Sequence, residues 1–175
     1  MSLADGLMEH ARALLVGSPN EAHLRRAVSA AYYALFHLLS SAVAEQVSPD
    51  LPVGLRGRTQ RALDHGTMAN AASQFKRPGE RPQSLPKDIV LEPISQRLVN
   101  VAASFVDLQE ARYLADYDAL DSTSRVSLQW AQENVSKAES AFRDWNVVKR
   151  SEEAKVFLAA LMFAQRWNRK ADSKS

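Results

Sequence analysis

Cysteine is absent from all 175 residues of the chain. That single absence excludes a disulfide framework, a thiolate metal site and a cysteine nucleophile together. Glycine is scarce, with six in all, which argues against a turn-rich β architecture. The four histidines, at 10, 23, 37 and 65, show no pair four apart on one helix, so paired-ligand spacing for a metal is missing. There is no glycine-rich phosphate loop with GKS or GKT, and no serine in a nucleophile-elbow pattern. No metal and no cofactor are expected. Neither sign of charge dominates, since 22 basic residues against 20 acidic ones leave +2. Bulk charge therefore does not announce a nucleic-acid binder, and any basic surface must come from clustering.

Neither a leader nor a membrane span is expected from the pattern. MSLADGLMEHARALL carries Asp5 and Glu9 and lacks an apolar run after a basic start. It reads as an amphipathic helix with Leu3, Leu7, Ala11 and Leu14 on one face. The most apolar stretch, Val28 to Val43, holds three serines, two tyrosines and a histidine. It reads as too short and too polar to cross a bilayer. A cytoplasmic location with no membrane partner is the resulting expectation.

What the sequence does contain is helical periodicity. Apolar residues make up 46%, near the average for a globular chain, and the length suits one domain with a real core. Ser18-Pro19-Asn20-Glu21 offers a serine cap with proline at the first helical position. Leu24, Val28, Ala31, Leu35, Leu38 and Ala42 then recur at helical spacing, beside a strip of small residues at Ala27, Ala30, Ala31 and Ala34 that permits close helix approach. SPDLPVGLRG, from Ser48, reads as a loop. A weaker alanine-rich helix is expected from Thr59 to Phe75, interrupted by Gly66, followed by a flexible basic loop, KRPGERPQSLPK.

The next helix starts near Pro93, and Ile94, Leu98, Val101, Phe105 and Leu108 step along it by three and four without a break. Asp118, Asp121 and Ser122 mark a turn. Leu128, Ala131, Val135, Ala138, Phe142 and Trp145 form another stripe. Ser151-Glu152-Glu153 either caps a last helix or lies within a continuing one. The expectation is an all-α, antiparallel up-and-down bundle of five to six helices, one domain over residues 1–168 with a polar tail at 169–175.

One residue breaks the pattern. The step after Leu108 lands on Arg112, and Asp116 follows four residues on, so both project from one face. A guanidinium on a core stripe must be compensated. One reading is an intrahelical pair that only fixes helix register; the other is a polar cleft that holds an anion such as phosphate, which suits the planar arginine fork. Tyr32 falls near the core edge, where its hydroxyl needs a partner such as Arg112 or Asp116. Tyr33, His37 and Arg61 are further candidates for the polar surround.

Three segments in order, LRRAVSAAYYALFHLL (from Leu24), RALDHG (from Arg61) and LQEARYLADYD (from Leu108), carry a likeness. Together they resemble the HEPN family, the higher-eukaryote and prokaryote nucleotide-binding domains, in its prokaryotic branch with an arginine-x-x-alanine-aspartate-tyrosine motif. The likeness spans most of the chain, from Leu3 to Trp145. It implies a helical up-and-down bundle, often a homodimer. It also implies metal-independent endoribonucleases, frequently toxins paired with a nucleotidyltransferase-type antitoxin, or parts of antiviral systems, so RNA and such an antitoxin are the implied partners.

The family's catalytic signature is an arginine, four to six residues, then a histidine. Arg112 matches the arginine, but the corresponding positions hold Tyr117, Asp118 and Ala119. A tyrosine titrates near ~10, far from histidine's range, and an arginine beside Asp116 weakens it as a base. His65, separated from Arg58 by six residues and one turn from Arg61, is the other candidate for that role. Three readings stay open: a nucleic-acid- or partner-binding module with a polar cleft at Arg112, Asp116 and Tyr117; an active endoribonuclease using His65 or Tyr117; and a purely structural dimerisation bundle.

Overall fold

The computed structural model describes residues 1–47, 52–82, 85–87, 89, 93–117 and 126–172. Among these residues every regular element is an α-helix: α1 (Leu3–Ala13), α2 (Glu21–Val47), α3 (Val53–Arg61), α4 (His65–Ser73), α5 (Gln96–Tyr117), α6 (Leu128–Val148) and α7 (Glu152–Asp172). The all-α expectation holds, with seven helices where five to six were expected. The turn assigned to Asp118, Asp121 and Ser122 lies outside the described residues.

Several helix ends differ from the sequence reading for identifiable reasons. α2 is capped by Asn20, not Ser18: the His23 amide donates to Asn20 Oδ1 at 3.0 Å, and the Asn20 amide donates to His23 Nδ1 at 3.3 Å. This reciprocal arrangement satisfies two otherwise orphaned donors. Part of the segment read as a loop is helical, because Pro52 sits at the N-cap of α3, where its missing N–H costs nothing, and its carbonyl accepts from Leu55 and Arg56. The break in the next segment falls at 62–64 and not at Gly66. Asp64 sets it by accepting from the Thr67 amide at 2.8 Å as the cap of α4. Ser151 caps α7 through the Ala154 amide, so α6 and α7 are separate helices. On α1 the buried face is Ala4, Met8 and Ala11, while Leu3 is exposed. The Ser2–Asp5 capping box fixes its start.

The chain divides into two compact units, Met1–Leu38 with Ser104–Arg143, and Leu39–Ala103 with Asp144–Ser175. In the first, contacts run in opposite directions along α2 and α5. Arg25 meets the carbonyls of Leu114 and Ala115, Tyr33 meets Arg112, and Tyr32 meets Phe105. The two helices are therefore antiparallel here, as are α5 and α6, where Lys137 pairs with Asp107 at 2.9 Å and Ala131 packs near Ala115. Leu24, Val28, Ala115 and Ala131 form a buried cluster at this end. All five residues of the α5 stripe expected from the sequence, Ile94 through Leu108, are buried, and each large side chain so buried contributes about 1.5–3 kcal/mol.

In the second unit α4 packs on α7, with Phe75 edge-on to Phe157 at 5.1 Å and Trp145 beside it. Ser95 caps α5 and ties to α7, donating from both its amide and hydroxyl to the Glu153 carboxylate at 2.7 and 2.6 Å. The basic segment after Phe75 is pinned where it is described. Leu85 is buried, and Arg81 donates to the Ile89 and Pro86 carbonyls.

α2 also corrects the reading of its apolar stretch. Within Glu21–Gln46 an 18-residue window, at a mean hydropathy of 1.4, is long and apolar enough for a membrane crossing by composition; 72% of that window is buried inside the protein. A core helix has this character without a bilayer.

Candidate functional site

Arg112 stands on α5 one step past the apolar stripe, with its side chain 21% exposed. Its Nη2 donates to the Tyr33 hydroxyl at 2.8 Å. Its Nε lies 2.7 Å from Asp116 Oδ2, yet makes no aligned hydrogen bond, so the carboxylate acts on it mainly as a charge. The guanidinium carbon also sits 5.4 Å from the Tyr33 ring centre and 5.5 Å from that of Tyr117, within cation–π range. Burial disfavours the charged form of Arg112. The Tyr33 hydroxyl and its hydrogen bond, then Asp116 and Tyr117, more than offset this, so its pKa is raised.

Asp116 is held from the other side. Ser29 Oγ donates to its Oδ1 at 2.6 Å, and Ser29 itself is buried on α2. Next to it, Arg25 donates to the carbonyls of Leu114 and Ala115 at 3.1 and 2.9 Å and pairs with Glu21 at 2.8 Å. Those carbonyls belong to the last turn of α5, which has no intrahelical partners for them, so Arg25 serves as a remote C-cap. The result is a network in which α2 supplies Arg25, Ser29 and Tyr33, and α5 supplies Arg112 and Asp116.

This network backs a cleft of about 630 Å³ whose walls include Tyr33, Asp116, Tyr117, Arg25 and, from α1 and α2, His10 and Arg26. Among the described residues neither the His10 side chain nor the exposed Arg26 has a hydrogen-bond or ion-pair partner. Tyr117 is 62% exposed and Tyr113 66%, with ring centres 5.1 Å apart. The cleft therefore combines two basic groups without partners among the described residues, His10 and Arg26, with one largely exposed tyrosine, Tyr117, beside which Tyr113 lies outside the cleft.

The residues singled out from sequence thus separate. Arg112, Asp116, Tyr117 and Tyr33 come together. Tyr32 does not supply the hydroxyl for Arg112: it is fully buried, stacked on Phe105 at 5.8 Å, and its neighbour Tyr33 takes the role. His37 lies edge-on to Phe36 at 5.4 Å, and burial lowers its pKa. His65 and Arg61 belong to the second unit, where His65 opens α4 and Arg61 Nε donates to the Gly57 carbonyl. Sequence reasoning missed His10, Arg26, Arg25 and Ser29. Only Ser29 left a signal, as a small polar residue within an apolar helix. No protein-family model, no curated protein and no solved structure matches the chain.

Proposed function

We propose that the chain is a HEPN-like helical module that binds single-stranded RNA in the cleft beside Arg112, within a toxin–antitoxin or defence setting. The observation that carries this reading is the meeting, on one cleft, of the exposed Tyr117 ring with His10 and Arg26, whose side chains have no partner among the described residues. Free cations that follow phosphates and aromatic faces that stack bases are the sequence-tolerant means of holding a single strand. Arg112 is then a keystone more than a phosphate ligand, because Tyr33 and Asp116 already engage two of its nitrogens. Its task is to hold Tyr33, Asp116 and Tyr117 in place. The resemblance adds a homodimer and a nucleotidyltransferase-type antitoxin to this proposal.

Fluorescence anisotropy with a labelled single-stranded RNA tests it. Arg26→Ala should weaken binding and reduce the slope of log K against log salt by about 0.7, the value for one single-strand phosphate contact. Unchanged affinity and slope would remove the cleft from the account.

One observation favours a second reading. His10 shares the cleft with Asp116 and Tyr117, so the acid–base group missing after Arg112 could be supplied by α1 for metal-independent RNA cleavage. Incubating RNA with the protein in chelator, wild type against His10→Ala, decides it: cleavage lost with His10 supports the enzyme, and intact RNA in both leaves the binding module. If Arg112→Leu is more stable and binds RNA as well as wild type, the structural reading of Arg112 prevails.

A further inference from the structure

A second groove runs along the other side of α5, between it and α6. Its floor is Ala111, Leu114 and Trp130, and Ala111 and Trp130 rest on the buried cluster of Leu24, Val28, Ala115 and Ala131. Glu110 stands on the α5 rim and Glu133 on the α6 rim, both exposed. Glu110 has no hydrogen-bond or ion-pair partner among the described residues, and the Glu133 carboxylate receives only the side-chain amide of Gln129, at 2.8 Å. The one lysine in the groove, Lys137, is already engaged by Asp107 at 2.9 Å. At its other end the groove opens onto Tyr113 and Tyr117, because a shallower hollow lined by those rings shares Glu110 and Leu114 with it.

The hollow between two antiparallel helices takes a third helix, whose apolar residues at i, i+3 and i+4 fill the floor. From Asp107 to Tyr117 the groove follows α5 for about 15 Å at 1.5 Å per residue, the length of a three-turn helix. What flanks the floor selects the occupant. Both rims carry carboxylates with capacity to spare, so a segment with Lys or Arg on either side of its apolar stripe is complementary, and RNA is repelled.

We propose that this groove docks a basic amphipathic helix of a partner protein, seated with its apolar stripe on Leu114 and Trp130 and its cations against Glu110 and Glu133. This site meets the proposed RNA-binding cleft at Tyr117 but shares none of its basic residues.

Two synthetic peptides test it by calorimetry against the full chain: a three-turn helix with a leucine stripe flanked by lysines, and the same helix flanked by glutamates. The lysine peptide should bind, and the glutamate peptide should bind at least about tenfold more weakly. Binding of the lysine peptide should weaken at high salt and fall at least about tenfold in Glu110→Lys/Glu133→Lys. Circular dichroism of that variant confirms its fold, and Glu110→Gln/Glu133→Gln gives a milder version of the same loss. Equal binding of both peptides, undiminished binding to the charge-reversed variant, or concentration-dependent self-association abolished by Glu110→Lys would each overturn the proposal, the last by showing that a second copy occupies the groove. Since Arg26 lies outside this groove, Arg26→Ala should leave peptide binding intact even if the RNA reading fails.

Discussion

Replacing Tyr33 by phenylalanine keeps the ring beneath Arg112 and deletes only the hydroxyl that accepts from Nη2 at 2.8 Å. A hydrogen bond to a charged group contributes about 1.5–3 kcal/mol in mutational series. The Arg112 side chain retains some solvent access, 21%, so water partly replaces the lost acceptor and the expected cost falls to about 1–2 kcal/mol. At about 2–4 °C per kcal/mol for a chain of this size, Tm should drop by roughly 2–8 °C. The same change made in an Arg112→Met background has no guanidinium to strand, so it should cost close to nothing. Urea melts of wild type, both single variants and the double variant close the cycle. A coupling of about 1–2 kcal/mol is expected. Additive costs would refute the claim that Tyr33 and Arg112 act as one unit, and would leave the guanidinium balanced by Asp116 alone.

Three further outcomes follow from local contacts. Asp64→Ala removes the cap of α4 and should cost about 1 kcal/mol in a urea melt. Hydrogen bonds from Thr67, backbone first, hold the Asp64 carboxyl below its ordinary value, so this contribution is present above about pH 3.9, is lost as pH falls through the lowered folded value, and should be absent in the variant. Burial lowers the His37 pKa: the folded state resists protonation, so stability is full above about pH 6.5 and declines as pH falls toward the folded value. His37→Phe should reduce the acid sensitivity seen in melts between pH 7 and pH 5. Glu153→Ala leaves the amide and hydroxyl of Ser95 without their shared acceptor and should cost about 1–3 kcal/mol by thermal melt.

Periodicity made the long helices legible. The stripe from Ile94 to Leu108 is buried throughout, because residues spaced by three and four can leave water together only on a helix. α3 was hidden because its segment carries Pro52, Gly54 and Gly57, residues that punctuate most helices. Here the proline falls at the N-cap, where it does no harm. The start of α2 was misplaced by two residues because Ser18 and Asn20 are both competent caps, and the choice rests on His23 answering Asn20. On α1, the Leu3 and Met8 stripes share Ala11, so spacing alone does not choose between them.

At the candidate site the sequence pointed to Arg112 because an ion on an apolar stripe is conspicuous, and to Asp116 and Tyr117 because they lie within two turns of it. Tyr32 and Tyr33 are adjacent in sequence yet point in different directions about the helix. Which hydroxyl meets the guanidinium depends on helix rotation, and that is set by the packing of Tyr32 on Phe105. His10 and Arg26 lie far from Arg112 in sequence and match no spacing rule. They enter the cleft only through tertiary packing of α1 and α2 in the first unit.

Photo-crosslinking of a uridine-rich single-stranded RNA to the full chain, read by mass spectrometry of the tryptic peptides, tests the RNA-binding cleft most directly. Crosslinks should fall on Tyr117, Tyr33 and the His10 segment, and should weaken in Arg26→Ala. Crosslinks confined to the basic segment 76–87, or unaffected by Arg26→Ala, would contradict it.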